Sequence, residues 1–409
     1  MVFNLNEFLM AVSFALDFVE IDILGVSSNH SKRVAYIALK LADVFKLTPE
    51  EKYDIVALSI LHDNGASEKV LHDALNSRQM KNINILESIK EHCIIGEDNI
   101  KNYPFFTDVK NVIKYHHEKF NGQGFFNVEA KDIPLMAHII GFADTLELSF
   151  DLKNSTLKIE KEVIKFVIEQ SNNTFSPEVV EAFLKISKNK SFWMDLRDNY
   201  IDIVLRASIP QYTMDIPLQE ILEITKVLSK IIDSKSAFTQ MHSQGLATKV
   251  ETILDFYGTD HEQKMKLMIT AYLHDIGKLA VPNTILDSPH KLKDEDFDLI
   301  KEHPYYTGIV LREIEGFDEI TQWASNHHER LDGSGYPSGL VAEELDFGSR
   351  LIACLDVYQA LIEERPYRGA LSHHEAMELM KKMTDDGLLD GKIIGDIDNI
   401  FGNTTITKI

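Results

Sequence analysis

The feature that most constrains this chain is an internal repeat of histidines and aspartates. Both halves of the sequence carry the same pattern, with matching residues 211 or 212 positions apart (303 − 92 = 211 and 242 − 30 = 212). The matching residues are His30 and His242, His62-Asp63 and His274-Asp275, His92 and His303, His116-His117 and His327-His328, and Asp144 and Asp356. Scattered core histidines would not keep this register. The repeat therefore predicts two modules of one fold, each with a cluster of imidazole and carboxylate groups.

The fold class follows from the hydrophobic pattern. Long amphipathic segments dominate both halves and strand patterns are weak, which predicts an all-α protein whose ligands project inward from several helices. We expect one domain over residues 1–212 and another over 213–409, because Ser208, Pro210 and Pro217 interrupt a helical pattern between them. Thr48-Pro49-Glu50-Glu51 predicts a capped helix start, with Thr259-Asp260-His261-Glu262 as its counterpart.

Composition limits the partners and the compartment. The 409 residues carry a net charge of −22, which disfavours binding of nucleic-acid polymers and leaves room for a small nucleotide in a locally basic pocket. The two cysteines, Cys93 and Cys354, indicate no disulfide framework. The first twenty residues are apolar but include acidic residues and no basic leader, so we expect a packed helix and not a signal peptide or membrane span. These features favour a cytoplasmic protein.

The second module has the donors of a metal centre. His274-Asp275 places a nitrogen and a hard oxygen donor at one point, which suits iron, manganese or zinc better than calcium or magnesium. On a continuing helix Lys278 would lie on the same face as His274, and an ammonium group beside a metal suits a phosphate ester. The expected ligands are His242, His274, Asp275, His303, His327, His328 and Asp356. Seven ligands fit two ions that share a carboxylate, and Asp275 is the best bridging candidate.

These residues resemble the HD superfamily of metal-dependent phosphohydrolases. Gly335-Tyr336-Pro337, which follows the second histidine pair, resembles its HD-GYP subgroup, which is similar to enzymes that hydrolyse cyclic di-GMP. The resemblance is close over residues 217–380 and implies tandem HD-type helical bundles, with two divalent ions, iron or manganese, that activate a water in the second one. Some family members hold a third metal through a glutamate, but Phe238 and Val26 stand at those positions, so we expect two.

The resemblance also implies substrate contacts and a reaction. The implied catalytic residues are Asp275 and Lys278, and the implied substrate contacts are Lys278, Arg330, Gly335, Tyr336, Pro337 and Arg368. A buried ion pair explains Arg368 equally well. The implied substrate is a cyclic dinucleotide, with cyclic di-GMP as the default and 3'3'-cyclic GMP-AMP as the close rival. The product is a linear dinucleotide or, after a second cleavage, mononucleotides.

Two other classes of function stay open. One is a nucleotidase or dNTP phosphohydrolase of the wider superfamily, against which the Gly335-Tyr336-Pro337 loop argues. The other is a nucleotide-sensing scaffold that binds without cleaving. A homodimer or a signalling-protein partner is compatible with the sequence. His373-His374 has no counterpart in the first half, and we expect it to mark only a helix start after Ser372.

The first module keeps the ligand positions and loses the substrate positions. Its candidate second metal site comprises His30, His62, Asp63, His92, His116, His117 and Asp144. Ala66 stands in place of Lys278, Lys119 in place of Arg330, and Gly124-Phe125-Phe126 in place of the Gly-Tyr-Pro loop. The module is a metal-binding regulatory partner, a hydrolase for a smaller phosphate monoester, or a structural remnant. Because a metal-free buried cluster leaves charges to compensate, we favour metal occupancy.

Overall fold

The computed structural model describes residues 1–13, 28–65, 85–234, 241–286, 288, 293–364 and 369–402. The chain divides into two compact units, Asn4–Met214 and Asp215–Ile409, and the second unit also includes Met1–Phe3. Among the described residues the only sheet pairs β1 (Val2–Phe3) with β2 (Met214–Asp215). Helices make up almost all the other regular structure, which confirms the predicted all-α class.

The first unit is built from helices of uneven length. Residues 5–13 are helical. The helices that follow are α1 (His30–Phe45), α2 (Pro49–Ile60), α3 (Ile85–Ile100), α4 (Val112–Tyr115), α5 (Leu135–Ser149), α6 (Leu157–Glu169), α7 (Pro177–Ile186), α8 (Lys190–Asp195) and α9 (Ile201–Ser208). Short 3-10 helices cover Ala130–Asp132 and Leu152–Asn154.

The second unit repeats the order of the helices that carry the motif. Its helices are α10 (Leu218–Ser234), α11 (His242–Tyr257), α12 (His261–Leu273), α13 (Asn283–Leu286), α14 (Asp294–Lys301), α15 (His303–Leu311), α16 (Asp318–Ser325), α17 (Phe347–Ile362), α18 (His373–Asp385) and α19 (Gly391–Gly402). Its 3-10 helices are Ile276–Ala280 and Ala342–Glu344. Because α11 buries Leu246, Val250, Ile253 and Leu254 on one helical face, its first residue, His242, is directed into the interior.

The predicted helix starts are present, with one difference. The Thr48 side chain accepts a hydrogen bond from the N–H of Glu51, and the Glu51 carboxylate accepts one from the N–H of Thr48, which confirms the capping box before α2. Before α12 the capping side chain belongs to Asp260 and not to Thr259, and it accepts from the N–H of Gln263 at 3.0 Å. Either cap fixes the helix that ends at a His-Asp pair.

Glycines bring the His-Asp turn close to the next histidine-bearing helix. A Cβ atom on Gly277 would lie 2.0 Å from the carbonyl oxygen of His303, and one on Gly65 would lie 2.2 Å from that of His92. Any side chain at these positions would push the turn away from α15 or α3. The close approach therefore places Asp275 beside His303, and Asp63 beside His92.

Candidate metal centres

In the second unit the predicted ligands converge from five segments. His242 begins α11, His274-Asp275 follows α12, His303 begins α15, His327-His328 follows α16, and Asp356 lies within α17. Donor atoms lie within 4.8 Å of one another in each of three groups, which are His242 with His274 and Asp356, His274 with Asp275 and His327, and His303 with His327 and His328. All seven predicted residues are thus brought together.

Asp275 lies between two sets of imidazoles. Its Oδ2 is 3.3 Å from Nε2 of His274, and its Oδ1 is 3.3 Å from Nε2 of His303 and 3.8 Å from Nε2 of His327. Each oxygen therefore faces a different side of the cluster. This is the arrangement that a carboxylate shared by two cations requires.

Backbone carbonyls orient most of the histidine rings. Nδ1 of His274, His303 and His327 lies 2.9, 2.6 and 2.6 Å from the carbonyl oxygen of the residue three positions earlier. Because that carbonyl accepts only from a protonated Nδ1, the other nitrogen, Nε2, carries the lone pair and faces the cluster. The local helical geometry thus selects the tautomer that binds metal.

His242 is oriented by a carboxylate that the sequence did not reveal. Its Nδ1 lies 2.9 Å from the carboxylate of Glu363, and its Nε2 lies 3.1 Å from Asp356. Burial alone lowers the pKa of His242, but the hydrogen bonds to Asp356 and Glu363 outweigh it and raise the pKa to about 9. Glu363 keeps the register of the repeat, since Asp151 stands at its position in the first half (363 − 151 = 212), but an acidic pair beyond Asp356 carries no chemical signal until its contact with His242 is known.

Buried polar atoms test whether a cation fits this cluster. Nε2 of His274 and Oδ1 of Asp275 are buried and make no hydrogen bond. An orphaned buried polar atom costs about 1–3 kcal/mol. Burial and the neighbouring imidazoles hold the pKa of His327 and His328 well below the ordinary value, so both rings are neutral at physiological pH. Neutral imidazoles and inward carboxylates fit a divalent metal.

Lys278 reaches the cluster by a different path from the one predicted. The α-helix ends at Leu273, and Lys278 lies on the 3-10 helix Ile276–Ala280, so the expected continuous helix is wrong. Its Nζ is 2.5 Å from Oδ2 of Asp275. Burial raises the pKa of Asp275, but the charges of His274 and Lys278 outweigh it and hold the pKa well below the ordinary value.

The Gly-Tyr-Pro loop lies against the cluster. The rings of Tyr336 and His328 have centroids 4.9 Å apart, and the Tyr336–Pro337 peptide bond is cis. A Cβ atom on Gly335 would lie 2.4 Å from the backbone of Glu329, so the loop needs glycine there. The buried Glu329 carboxylate accepts hydrogen bonds from two backbone amides of the loop, at 2.7 and 3.0 Å.

Of the two arginines predicted to contact the substrate, the structure describes Arg330 but not Arg368. Arg330 Nη1 donates to the carbonyl oxygen of Glu329 at 3.0 Å, so its side chain lies at the base of the loop. Arg368, Ala66 and the third-metal positions Val26 and Phe238 lie outside the described residues. The His373-His374 pair is a helix start, as predicted, because Ser372 caps α18.

The first unit repeats the geometry around the shared carboxylate. Oδ2 of Asp63 is 3.3 Å from Nε2 of His62, and Oδ1 is 3.3 Å from Nε2 of His92 and 3.8 Å from Nε2 of His116. Asp144 Oδ1 lies 3.5 Å from the same nitrogen of His62. His30 and His117 lie 3.4 and 3.8 Å from the two oxygens of Asp144. The seven predicted positions therefore form a cluster here too.

The surroundings of the first cluster differ from those of the second. His30 Nδ1 lies 2.6 Å from Glu147, whose other oxygen is 2.5 Å from Nε of the buried Arg33. In the second unit the position of Glu147 is Gln359 (359 − 147 = 212). Glu118, by contrast, does repeat as Glu329, and it accepts loop amides at 2.7 and 2.9 Å. This glutamate follows each histidine pair at the repeat distance, so the register itself was a signal for it.

A cavity of about 230 Å³ adjoins the first cluster. Its lining includes His116, His117, Lys119, Phe125 and His138. Phe125 stands where the second unit has Tyr336, and its ring is 5.8 Å from that of His117. The cavity thus has an apolar wall where the second unit places a phenol.

Comparisons with known proteins place the chain in a family. Residues 226–393 match a family model described as an HD domain, and residues 28–149 match a second model of the same description. The 3'3'-cGAMP-specific phosphodiesterase 1 of Vibrio cholerae serotype O1 is 30% identical over 405 residues, which are 95% of this chain and 90% of that protein. The cyclic di-GMP phosphodiesterase response regulator RpfG of Xanthomonas campestris pv. campestris is 32% identical over 152 residues, which are 37% of this chain and 40% of that protein.

The fold also has a solved counterpart. A crystal structure of a cyclic GMP-AMP-specific phosphodiesterase of V. cholerae (V-cGAP3) covers 99% of both chains with a TM-score of 0.68 and 24% identity. Of the helices that the structure describes, none has the length and apolar character needed to cross a bilayer.

The family follows from the two HD-domain matches and from the relative that is 30% identical over 95% of this chain. The chain belongs to the HD-GYP phosphodiesterases, metal-dependent hydrolases of the HD superfamily, and carries a second, degenerate HD domain in tandem.

Proposed function

We propose that the second unit hydrolyses a phosphodiester bond of a cyclic dinucleotide, with 3'3'-cyclic GMP-AMP as the preferred substrate. The observation that carries this choice is the extent of similarity. The relative named for 3'3'-cGAMP aligns over 95% of this chain and therefore includes both HD domains, whereas the cyclic di-GMP relative aligns over 37%. Cyclic di-GMP is the second candidate, since one changed base alters few contacts.

The proposed ligands divide into two sets around Asp275. His242, His274 and Asp356 would hold one ion, His303, His327 and His328 would hold the other, and Asp275 would be shared between them. We propose iron or manganese, because this set contains imidazole and carboxylate donors and no thiolate. When bound, such a pair supplies an activated water and charge stabilisation for in-line displacement at phosphorus.

The residues around the ligands position the ester. The Lys278 side chain is 23% exposed while its ammonium contacts Asp275, so the lysine reaches from solvent to the cluster. We propose that it binds the scissile phosphate and stabilises the charge that develops there. Tyr336 lies over the His328 ring and is available to stack on a base or donate to a phosphate. Arg330 at the base of the loop offers a guanidinium to the second phosphate.

The experiment supplies both cyclic dinucleotides, and dGTP as a nucleotidase substrate, to the full-length protein loaded with Mn²⁺ or, anaerobically, with Fe²⁺. We expect faster loss of 3'3'-cyclic GMP-AMP than of cyclic di-GMP and no turnover of dGTP. His303→Ala should abolish turnover and lower metal content, while His374→Ala, on the exposed start of α18, should change neither. Hydrolysis of dGTP without hydrolysis of either cyclic dinucleotide would refute the proposal. Turnover of a cyclic dinucleotide that survives His303→Ala would refute it as well.

A further inference from the structure

A buried thiol lies within the first metal cluster. Cys93 follows His92 on α3 and is completely buried. Its Sγ is 3.5 Å from Nε2 of His92, and the donor atoms of His92, Cys93, His116 and His117 all lie within 4.8 Å of one another. The sequence pattern of histidines and aspartates did not include this residue.

The separation of the sulfur and nitrogen atoms fits a shared metal. Zinc binds thiolate sulfur at about 2.3 Å and imidazole nitrogen at about 2.0–2.1 Å, and a tetrahedral angle between them gives an S···N distance of about 3.6 Å. The observed 3.5 Å between Cys93 and His92 matches that distance. This spacing therefore suits two donors of one ion.

A second observation points into the same space. Nδ1 of His116 lies 2.6 Å from the carbonyl oxygen of Ile113, so the ring is oriented, while its Nε2 is buried and makes no hydrogen bond. An oriented, buried imidazole nitrogen with no hydrogen bond is a ligand atom in position. It faces Oδ1 of Asp63 at 3.8 Å, on the side of the cluster that also holds His92.

The second unit lacks this thiol. Pro304 occupies the register position of Cys93 (304 − 93 = 211), and the matching donor group contains only His303, His327 and His328. The two clusters therefore differ in ligand chemistry on one side of the shared carboxylate. Thiolate donors are soft and select zinc over manganese more strongly than nitrogen and oxygen donors do.

We propose that the first HD domain binds Zn²⁺ through the Cys93 thiolate together with His92, His116 and His117. Binding transfers the thiol proton to solvent, and the sulfur donates its electron pair to the cation. The chain then carries two metal centres of different type, a thiolate-containing zinc centre in the first domain and a nitrogen–oxygen centre in the second. This inference does not depend on the activity proposed for the second domain.

The test uses the full-length protein stripped of metal and loaded with Co²⁺ or Zn²⁺. A cobalt–thiolate bond produces a near-ultraviolet charge-transfer band that imidazole and carboxylate ligands do not produce. We expect this band in the wild type and in Cys354→Ser, which removes the buried cysteine of the second unit, and its loss in Cys93→Ser. Elemental analysis should show roughly one zinc per chain fewer in Cys93→Ser than in Cys354→Ser.

A second measurement protects the test against a variant that misfolds. Cys93 is the one cysteine left in the Cys354→Ser protein. X-ray absorption at the zinc edge of that protein should therefore show a sulfur neighbour at about 2.3 Å. Zinc with only nitrogen and oxygen neighbours in that protein would overturn the proposal. A charge-transfer band that persists in a folded Cys93→Ser protein would overturn it as well.

Discussion

Glu329 anchors the loop that carries Tyr336, and its replacement by alanine tests whether that loop positions the substrate. The buried carboxylate accepts from the backbone N–H of Ser338 at 2.7 Å and of Leu340 at 3.0 Å. Glu329→Ala removes both acceptors without removing any proposed metal ligand. The loop then keeps its sequence but loses the group that ties it to the histidine pair.

The expected magnitude follows from the two bonds. A hydrogen bond to a charged group contributes about 1.5–3 kcal/mol net. Loss of two such bonds therefore costs about 3–6 kcal/mol if no water hydrogen-bonds to either amide in the variant. These amides are partly exposed, and water replaces part of the loss, so we expect the protein to lose about 2–4 kcal/mol of unfolding free energy. Misplacement of Tyr336 should lower kcat/KM about 10- to 100-fold, which corresponds to about 1.4–2.8 kcal/mol.

The assay compares Glu329→Ala with a matched variant in the other domain. Glu118 occupies the equivalent position and accepts from the N–H of Phe126 and Val128 at 2.7 and 2.9 Å. Glu118→Ala should destabilise its domain by a similar amount and leave kcat/KM for the cyclic dinucleotide unchanged. Thermal unfolding, elemental analysis of the metal and steady-state kinetics are measured for both. Equal loss of turnover in the two variants, or a change below about twofold in Glu329→Ala, would refute the positioning role.

Three further outcomes are expected. Glu363→Gln should weaken metal binding about 10- to 100-fold, because it removes the carboxylate that orients His242. Metal content after dialysis should therefore fall in Glu363→Gln and stay unchanged in Glu364→Gln, a control at an exposed residue. Because hydrogen bonds to Asp356 and Glu363 outweigh burial and raise the pKa of His242 to about 9, this ring is protonated in the metal-free protein at neutral pH, and metal must displace the proton. Metal affinity should therefore rise up to about tenfold per pH unit until about pH 9; calorimetry that finds no proton release would contradict this. Lys278→Met should lower kcat about 100-fold or more with unchanged metal content, and an effect on KM alone would argue against its role at the scissile phosphate.

The repeat made the ligand positions predictable, while local contacts decided the rest. Seven side chains per half share one register, and the structure brings each set together. Glu329 lay in the same register but was not singled out, because a glutamate after two histidines is chemically unremarkable until its loop contacts are known. Cys93 has no repeated partner, because Pro304 stands at its position in the second half. Glu363 has Asp151 in register, but only the structure reveals that Glu363 contacts His242.

The path of the chain after His274 was the least predictable part. Apolar spacing along α12 gives no sign of where the helix ends, and the prediction of a continuing helix for Lys278 was wrong. The turn tightens because Gly277 packs directly on the carbonyl of His303, a contact between residues far apart in sequence. A tertiary contact therefore overrode the local helical pattern and set the reach of the lysine.

Comparison of the two clusters distinguishes the residues that build a metal site from the residues proposed to bind the phosphate ester. The distances from the shared carboxylate are 3.3, 3.3 and 3.8 Å in both units, although the first unit has Ala66 in place of Lys278 and Phe125 in place of Tyr336. The lysine and the tyrosine are therefore not required to build the cluster. Buried atoms without hydrogen bonds occur in both clusters, which gives each domain a reason of its own to bind a cation. Under the proposed function, catalysis is an addition to a metal-binding fold, so the replacement of the lysine and the tyrosine in the first domain need not prevent that domain from binding a metal.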